Sequence, residues 1–154
     1  IHQTGEKNFD EVNSLVTGLL GGNQNASRYH AYPYLDPSTL KLAFEVATIV
    51  VSRSGSSIFE IAASQVPAIL IPIAESNGDH QRKNAFAYAR AGGATVLEEA
   101  NLAPNLLMLE IDRLIEDKGK RNAMKESAKT FARTDAAEKI AEQIVPILLR
   151  HRLG

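Results

Sequence analysis

The stretch Ile49-Val50-Val51-Ser52-Arg53-Ser54-Gly55-Ser56-Ser57-Ile58-Phe59-Glu60-Ile61-Ala62-Ala63-Ser64-Gln65-Val66-Pro67-Ala68-Ile69-Leu70-Ile71-Pro72-Ile73-Ala74-Glu75-Ser76-Asn77-Gly78-Asp79-His80-Gln81-Arg82-Lys83-Asn84 decides the fold. It reads as strand, glycine turn, helix, strand, polar loop and helix. Ile49 to Val51 is an apolar, β-branched run of the kind a buried parallel strand needs. Ser52 to Ser57 leaves the strand end, and Ile58 to Ser64 follows with helical spacing. A second buried run, Ala68 to Ile73, starts just after Pro67.

Upstream, Ile1 to Gly5 reads as the exit of a strand into a loop. Phe9 to Leu20 places apolar residues at 9, 12, 15, 16, 19 and 20 on one helical face, closed by Gly21-Gly22. Tyr29 to Leu35 predicts a short strand that turns at Asp36-Pro37. Asp36 or Ser38 is positioned to cap a helix over Thr39 to Ala47. Downstream, a helix over Asp79 to Ala91 is closed by Gly92-Gly93, with a strand at Ala94 to Leu97. Asn105 to Glu116 is amphipathic. Gly119 is expected to interrupt before a basic helix over Lys120 to Phe131. Thr134-Asp135 resembles an N-cap for a last helix over Ala136 to Leu149, which Pro146 is expected to bend or to limit to a final turn. The tail His151 to Gly154 is expected to fray. Strands alternating with helices predict an α/β fold with a Rossmann-like parallel sheet and helices on both faces. Ligands of such folds sit at the carboxyl ends of the strands.

The composition sets bounds on function. The 154 residues are 44% hydrophobic and 23% charged, with formal net charge -1, which fits one folded domain and gives no bulk attraction to nucleic acid. With no cysteine, disulfide and thiolate chemistry are excluded. No apolar run approaches the roughly 18 residues of a membrane span. The sequence opens at Ile1 inside what reads as a strand, so it is expected to be a piece of a longer chain.

Three clusters could carry chemistry. The Ser54-Gly55-Ser56-Ser57 turn opens a helix, so its backbone N–H groups and positive helix end would receive phosphate oxygens. The plainer reading is that Ser56 or Ser57 caps the helix. The lysine and glycine spacing of a P-loop are missing. Glu60, one turn further on, either complements the helix dipole or reaches a crevice to accept two sugar hydroxyls. It lies between Phe59 and Ile61 on a helix expected to be largely covered. Asp79-His80-Gln81-x-x-Asn84 is dense in directional hydrogen-bonding groups, and Gln81 and Asn84 share a helical face. The plainer readings are that Asp79 serves only as a cap and His80 only as a surface residue; together they do not define a metal site. Arg53 could meet a phosphate, although pairing with a neighbouring carboxylate such as Glu60 is the plainer outcome. The five basic residues between Lys118 and Lys129 read as a solvated face.

Taken together, Ser52-Arg53-Ser54-Gly55 with Glu60-Ile61-Ala62-Ala63, then Pro67 to Pro72, then Asp79-His80-Gln81-x-x-Asn84-Ala85, closely resemble the nucleotide-sugar half of the MurG family. His2-Gln3-Thr4-Gly5, Ala91-Gly92-Gly93-Ala94 and Asp135-Ala136-Ala137 extend the resemblance over essentially the whole chain. The family transfers N-acetylglucosamine to a lipid-linked muramyl pentapeptide in bacterial peptidoglycan synthesis.

The resemblance implies a GT-B glycosyltransferase, with two Rossmann-like domains and an active site in the cleft between them. Residues 1–154 would be the donor-binding domain. The Ser54-Gly55-Ser56-Ser57 turn, with Arg53 beside it, would hold the UDP diphosphate, and Glu60 the ribose hydroxyls. The main chain near Leu35 would meet uracil. His80 and Gln81 would contact N-acetylglucosamine, with Asn84 supporting or joining them. The donor UDP-N-acetylglucosamine would be a substrate, with no cofactor and no protein-bound metal. The acceptor would be held by an N-terminal domain, which would also carry the general base and sit peripherally on the cytoplasmic face of the plasma membrane.

Two departures accompany the resemblance. The family's first strand and Gly-Gly-Ser-type loop do not precede Ile1, and Asp36-Pro37-Ser38 forms an extra turn. The expectation is therefore that this chain alone lacks transferase activity, binds donor weakly and leaves a sheet edge open to self-association. The donor half also fits another GT-B glycolipid enzyme with a different UDP-sugar, or a non-catalytic α/β domain that completes an enzyme only with a partner subunit.

Overall fold

The computed structural model describes residues 1–74, 77–132 and 136–152. They form two compact units, residues 1–46 and 47–154. The first contains β1 (His2–Gln3), α1 (Phe9–Leu20), β2 (Ala31–Tyr32) and α2 (Pro37–Val46). The second contains β3 (Val50–Ser52), α3 (Ser57–Ala63), β4 (Ala68–Leu70), α4 (His80–Arg90), β5 (Ala94–Val96), α5 (Pro104–Glu116), α6 (Lys118–Phe131) and α7 (Ala136–Arg152). The parallel, Rossmann-like α/β architecture expected from the alternating pattern is present, with the strands flanked by helices.

In the first unit β1 and β2 pair in parallel, His2 against Ala31 and Gln3 against Tyr32. The Gln3 side chain extends this pairing: its Oε1 accepts the Leu35 N–H at 3.0 Å. Thr4 does likewise, donating both its N–H (2.9 Å) and its hydroxyl (3.2 Å) to the Tyr32 carbonyl. Asp36, rather than Ser38, caps α2. Its Oδ1 accepts the N–H groups of Ser38 (2.9 Å) and Thr39 (3.1 Å), and both hydroxyls also donate to the carboxylate. Those bonds, the Ser38 and Thr39 hydroxyls first, hold the carboxyl far below the usual range.

In the second unit the strands run in the order β3-β4-β5, all parallel, with Ser52, Leu70 and Val96 aligned at their carboxyl ends. β4 is buried along its whole length, as its apolar run predicts. β3 is not. Among the described residues it pairs with β4 alone, and Val51 is 42% exposed, so the Ile49–Val51 run does not become a fully buried strand. Ile69, Leu114 and Met124 form a buried cluster, with Ile49, Leu97, Leu107 and Ile111 packed against it.

The glycines after α4 show how tightly this unit is packed. Gly92 has φ +89°, and a Cβ there would lie 2.6 Å from the Ser127 hydroxyl. A Cβ on Gly93 would lie 2.0 Å from the Tyr88 ring, which is fully buried and packs on Phe131 at 4.6 Å. Only glycine leaves room for that ring.

The late helices depart from expectation at Gly119 and, as to where the last one ends, at Pro146. Gly119 lies in the first turn of α6 instead of breaking the chain before it; the break is at Asp117, whose Oδ1 accepts the Lys120 N–H at 2.7 Å. A side-chain cap thus outweighs the modest helix penalty of glycine. Pro146 does not confine α7 to a final turn, and the helix continues to Arg152, taking in His151 of the expected frayed tail. The expected cap at Thr134-Asp135, and Leu153 and Gly154, lie outside the described residues. No helix among the described residues is long and apolar enough to cross a membrane.

Candidate functional site

Register brings the candidate residues of the second unit to one end of the strands. Because Ser52, Leu70 and Val96 are aligned, the chain leaves β3, β4 and β5 side by side, into Arg53–Ser56, Ile71–Ala74 and Leu97–Glu99. The helices α3 and α4 begin just beyond, at Ser57 and His80.

Ser54 is the organising residue. It is fully buried, and its hydroxyl donates to the Gln81 carbonyl at 2.8 Å. Its own carbonyl accepts from Asn84 Nδ2 at 3.2 Å. A buried serine with both groups partnered costs little, whereas either group left alone would be expensive. Gln81 contributes a further bond: its Oε1 accepts the Ile73 N–H at 3.2 Å, tying the segment after β4 to the start of α4. The Asn84 side chain thus reaches the Ser-Gly turn, while that of Gln81 reaches the segment after β4. Both are partly buried there, so their amides serve the architecture of the site.

The turn itself is differently made. Neither Ser56 nor Ser57 caps α3 with its side chain; Ser57 Oγ instead lies 3.4 Å from the Arg53 carbonyl and 3.5 Å from Ser52 Oγ. The plainer role for these serines is therefore not realised. Gly55 has no left-handed φ, and a Cβ built on it meets nothing within 4 Å. The fold does not require glycine at this position. What a glycine gives here is open space over the backbone, the condition for close approach of a ligand.

Glu60 is exposed, along with Phe59, which corrects the expectation that this part of α3 is covered. The buried face of α3 is Ile58, Ile61 and Ala62, which the helical repeat separates from Glu60. His80 is exposed at the first position of α4. Asp79 precedes it with φ 58° and makes no side-chain cap, so the expected capping role is not observed. Leu35, buried, belongs to the first unit, where its N–H is engaged by Gln3.

Arg53 does not pair with Glu60. Its Nη2 lies 2.6 Å from Glu99 Oε1, and its Nη1 donates to the Ile71 carbonyl at 3.2 Å. The other oxygen of Glu99 accepts the Ala74 N–H at 3.1 Å. The Ala74 hydrogen bond and then Arg53 hold the Glu99 carboxyl below its usual range. Sequence reading missed Glu99, which stands 46 residues from Arg53. The available signal was its place just past the last apolar run, at the ligand-binding end of the strands. Among the described residues no group of three or more His, Asp or Glu side chains is arranged to hold a metal.

The chain as a whole resembles known proteins. Residues 1–140 match the model of the glycosyltransferase family 28 C-terminal domain. The enzyme named UDP-N-acetylglucosamine–N-acetylmuramyl-(pentapeptide) pyrophosphoryl-undecaprenol N-acetylglucosamine transferase from Listeria monocytogenes is 34% identical over 149 residues, covering 96% of this chain and 39% of that protein. The enzyme of the same name from Acetivibrio thermocellus is 33% identical over 155 residues, covering 100% of this chain and 40% of the relative. The crystal structure of Acinetobacter baumannii MurG superposes with TM-score 0.73 at 21% identity, over 92% of this chain and 39% of that one. The chain therefore spans about two fifths of the length of the curated relatives it matches. With the family model matched from Ile1 almost to the end of the sequence, and the parallel α/β fold shared with a solved structure, this chain belongs to the glycosyltransferase family 28 C-terminal domain family.

Proposed function

We propose that this chain is the donor-binding domain of an inverting glycosyltransferase that moves N-acetylglucosamine from UDP-N-acetylglucosamine to undecaprenyl-pyrophosphoryl-muramyl-pentapeptide. The observation that carries the reading is the family match over residues 1–140, with relatives bearing that enzyme's name along 96 to 100% of this chain. In this reading the backbone donors of Ser54 to Ser57 receive the diphosphate, and the open space over Gly55 lets phosphate oxygens approach. Glu60, exposed one turn into α3, accepts the ribose hydroxyls. His80 and Gln81 at the start of α4 face the sugar, and Asn84 supports them by holding the Ser54 carbonyl.

The reaction forms a bond from an acceptor sugar hydroxyl to C1 of N-acetylglucosamine and breaks the bond from C1 to the UDP oxygen. The hydroxyl proton passes to a general base in the acceptor domain, and UDP departs with the bonding electrons. The turn stabilises the developing diphosphate charge with fixed N–H donors, without a protein-bound metal. The polyprenyl acceptor places the whole enzyme on the cytoplasmic face of the bacterial plasma membrane as a peripheral protein. Its product serves peptidoglycan synthesis and, through the wall, cell shape and division.

Calorimetric titration with UDP, UDP-N-acetylglucosamine and UDP-galactose tests the reading. Tighter binding of UDP-N-acetylglucosamine than of UDP-galactose is expected, and the ranking should survive EDTA. Preference for UDP-galactose would assign the chain to another glycolipid transferase; no binding of any of the three at millimolar concentration would overturn the donor role.

A further inference from the structure

Glu99 has no role in the donor site as described, and Arg53 is a cation beside a turn read as a phosphate site. Their geometry bears on both. Arg53 follows β3, Ile71 and Ala74 follow β4, and Glu99 follows β5. Each head group is used twice. The guanidinium reaches Ile71 O (3.2 Å) and Glu99 Oε1 (2.6 Å), and the carboxylate accepts from Arg53 and from the Ala74 N–H (3.1 Å). A lone surface ion pair contributes little, because ordering two long side chains offsets the attraction. Here each partner is also fixed by a backbone bond, and the planar guanidinium is pre-organised for such a fork. The chain of bonds crosses all three strand exits.

We infer that Arg53 and Glu99 are a pair of positioning residues, which fix the Ser54–Ser57 turn against the segment leading to α4, with the Arg53 charge committed to Glu99 and not to the donor diphosphate. The inference rests on the donor-site reading of that turn. It also leaves the Glu60 carboxylate to a ligand, since the Arg53 head group is engaged by Glu99 and the Ile71 carbonyl. The nearby pair Arg82–Glu98, at 2.8 Å, shares neither Arg53 nor Ala74 and serves as an internal control.

The two roles open to Arg53 predict opposite signs for one substitution. If Arg53 positions, Glu99→Ala unfastens the strand exits and weakens UDP binding. If Arg53 binds phosphate, Glu99→Ala releases it and tightens binding. The experiment is calorimetric titration of the chain with UDP at several salt concentrations. It compares wild type, Glu99→Ala, Glu99→Gln, Arg53→Ala, the double variant and Glu98→Gln, each checked for folding by circular dichroism. Expected are roughly three- to tenfold losses for Glu99→Ala and Arg53→Ala, with no further loss in the double variant. Glu99→Gln should lose less, since its carbonyl oxygen still accepts from Ala74. Its result decides the matter should Glu99→Ala fail to fold. Glu98→Gln should match wild type, and the salt dependence should be the same for Arg53→Ala and wild type. Tighter binding by Glu99→Ala, a shallower salt dependence in Arg53→Ala, or unchanged affinity in both Glu99 variants would overturn the inference. Absence of UDP binding by the wild type is a different result, and it removes the donor-site reading itself.

Discussion

The two ends of α4 treat buried polar atoms in opposite ways. At its start the buried Ser54 hydroxyl and carbonyl both have partners, Gln81 and Asn84. Near its other end the Tyr88 ring is equally buried, yet its hydroxyl has no hydrogen-bond partner among the described residues. Glycine differs in the same sense. Gly55, at the strand carboxyl ends, has open space above it, while Gly93 has a tyrosine ring where its side chain would be. One end is held by directional bonds that leave room for a visitor. The other is filled by the packed Tyr88 ring and has none. Packing needs only shape, whereas a binding site needs a backbone fixed while part of it stays uncovered.

Gly93→Ala should have the largest effect. The added Cβ would force the Tyr88 ring from its position, with a loss of about 3 kcal/mol by urea unfolding. Whatever chain remains folded should bind UDP as before. Ser54→Ala comes next. It removes the Ser54 hydroxyl's bond to the Gln81 carbonyl, lowers stability by about 0.5–1.5 kcal/mol, and weakens UDP binding as well. Retained stability with normal binding would show that the Ser54 bonds do not organise the site.

Gly55→Ala sharpens the contrast. Stability should be unchanged or raised by about 0.4–1 kcal/mol, because the conformation suits alanine and the space is open. UDP affinity should fall roughly tenfold through obstruction of the phosphates. Glu60→Gln should reproduce that separation, with stability within about 0.5 kcal/mol of wild type and UDP affinity lower by roughly three- to tenfold.

Tyr88→Phe is the smallest change near neutral pH, within about 1 kcal/mol of wild type, since no hydrogen bond is lost. Its signature lies at high pH. Burial pushes the Tyr88 phenol from 10.0 up to about 12. Between those values the unfolded chain has released this proton and the folded chain retains it. Stability therefore falls as pH rises, by about 1.4 kcal/mol per unit at most from this group. Urea midpoints at pH 8 and pH 11 should converge less steeply toward unfolding in Tyr88→Phe; an identical fall in both proteins would mean that the ring is not buried in solution.

The parts of this molecule legible in its sequence are those governed by local pattern. Phe9–Leu20 is a helix at the residues its apolar spacing marks, and Ala68–Leu70 is the buried central strand that its unbroken apolar run demands. The clusters around Ser54 and Gln81 were visible as polar residues at strand ends. What each does within the fold was not, because burial and partners are set across long separations. Nothing in Ser54-Gly55-Ser56-Ser57 reveals that the first serine is fully buried and the glycine uncovered. Arg53 looked toward Glu60, seven residues away, because sequence offers only near neighbours; parallel pairing brings Glu99 closer. Gly119 misled for a similar reason, since the cap at Asp117 outweighs a single glycine.

The most direct test of the account is amide NMR of the chain titrated with UDP. It predicts that shifts concentrate on Ser54 to Ser57, Glu60 and the His80 to Asn84 turn, with Gly92, Gly93 and Tyr88 unmoved. Saturable shifts centred on Gly92, Gly93 and Tyr88, or saturable binding that leaves the Ser54 to Ser57 amides unchanged, would contradict it.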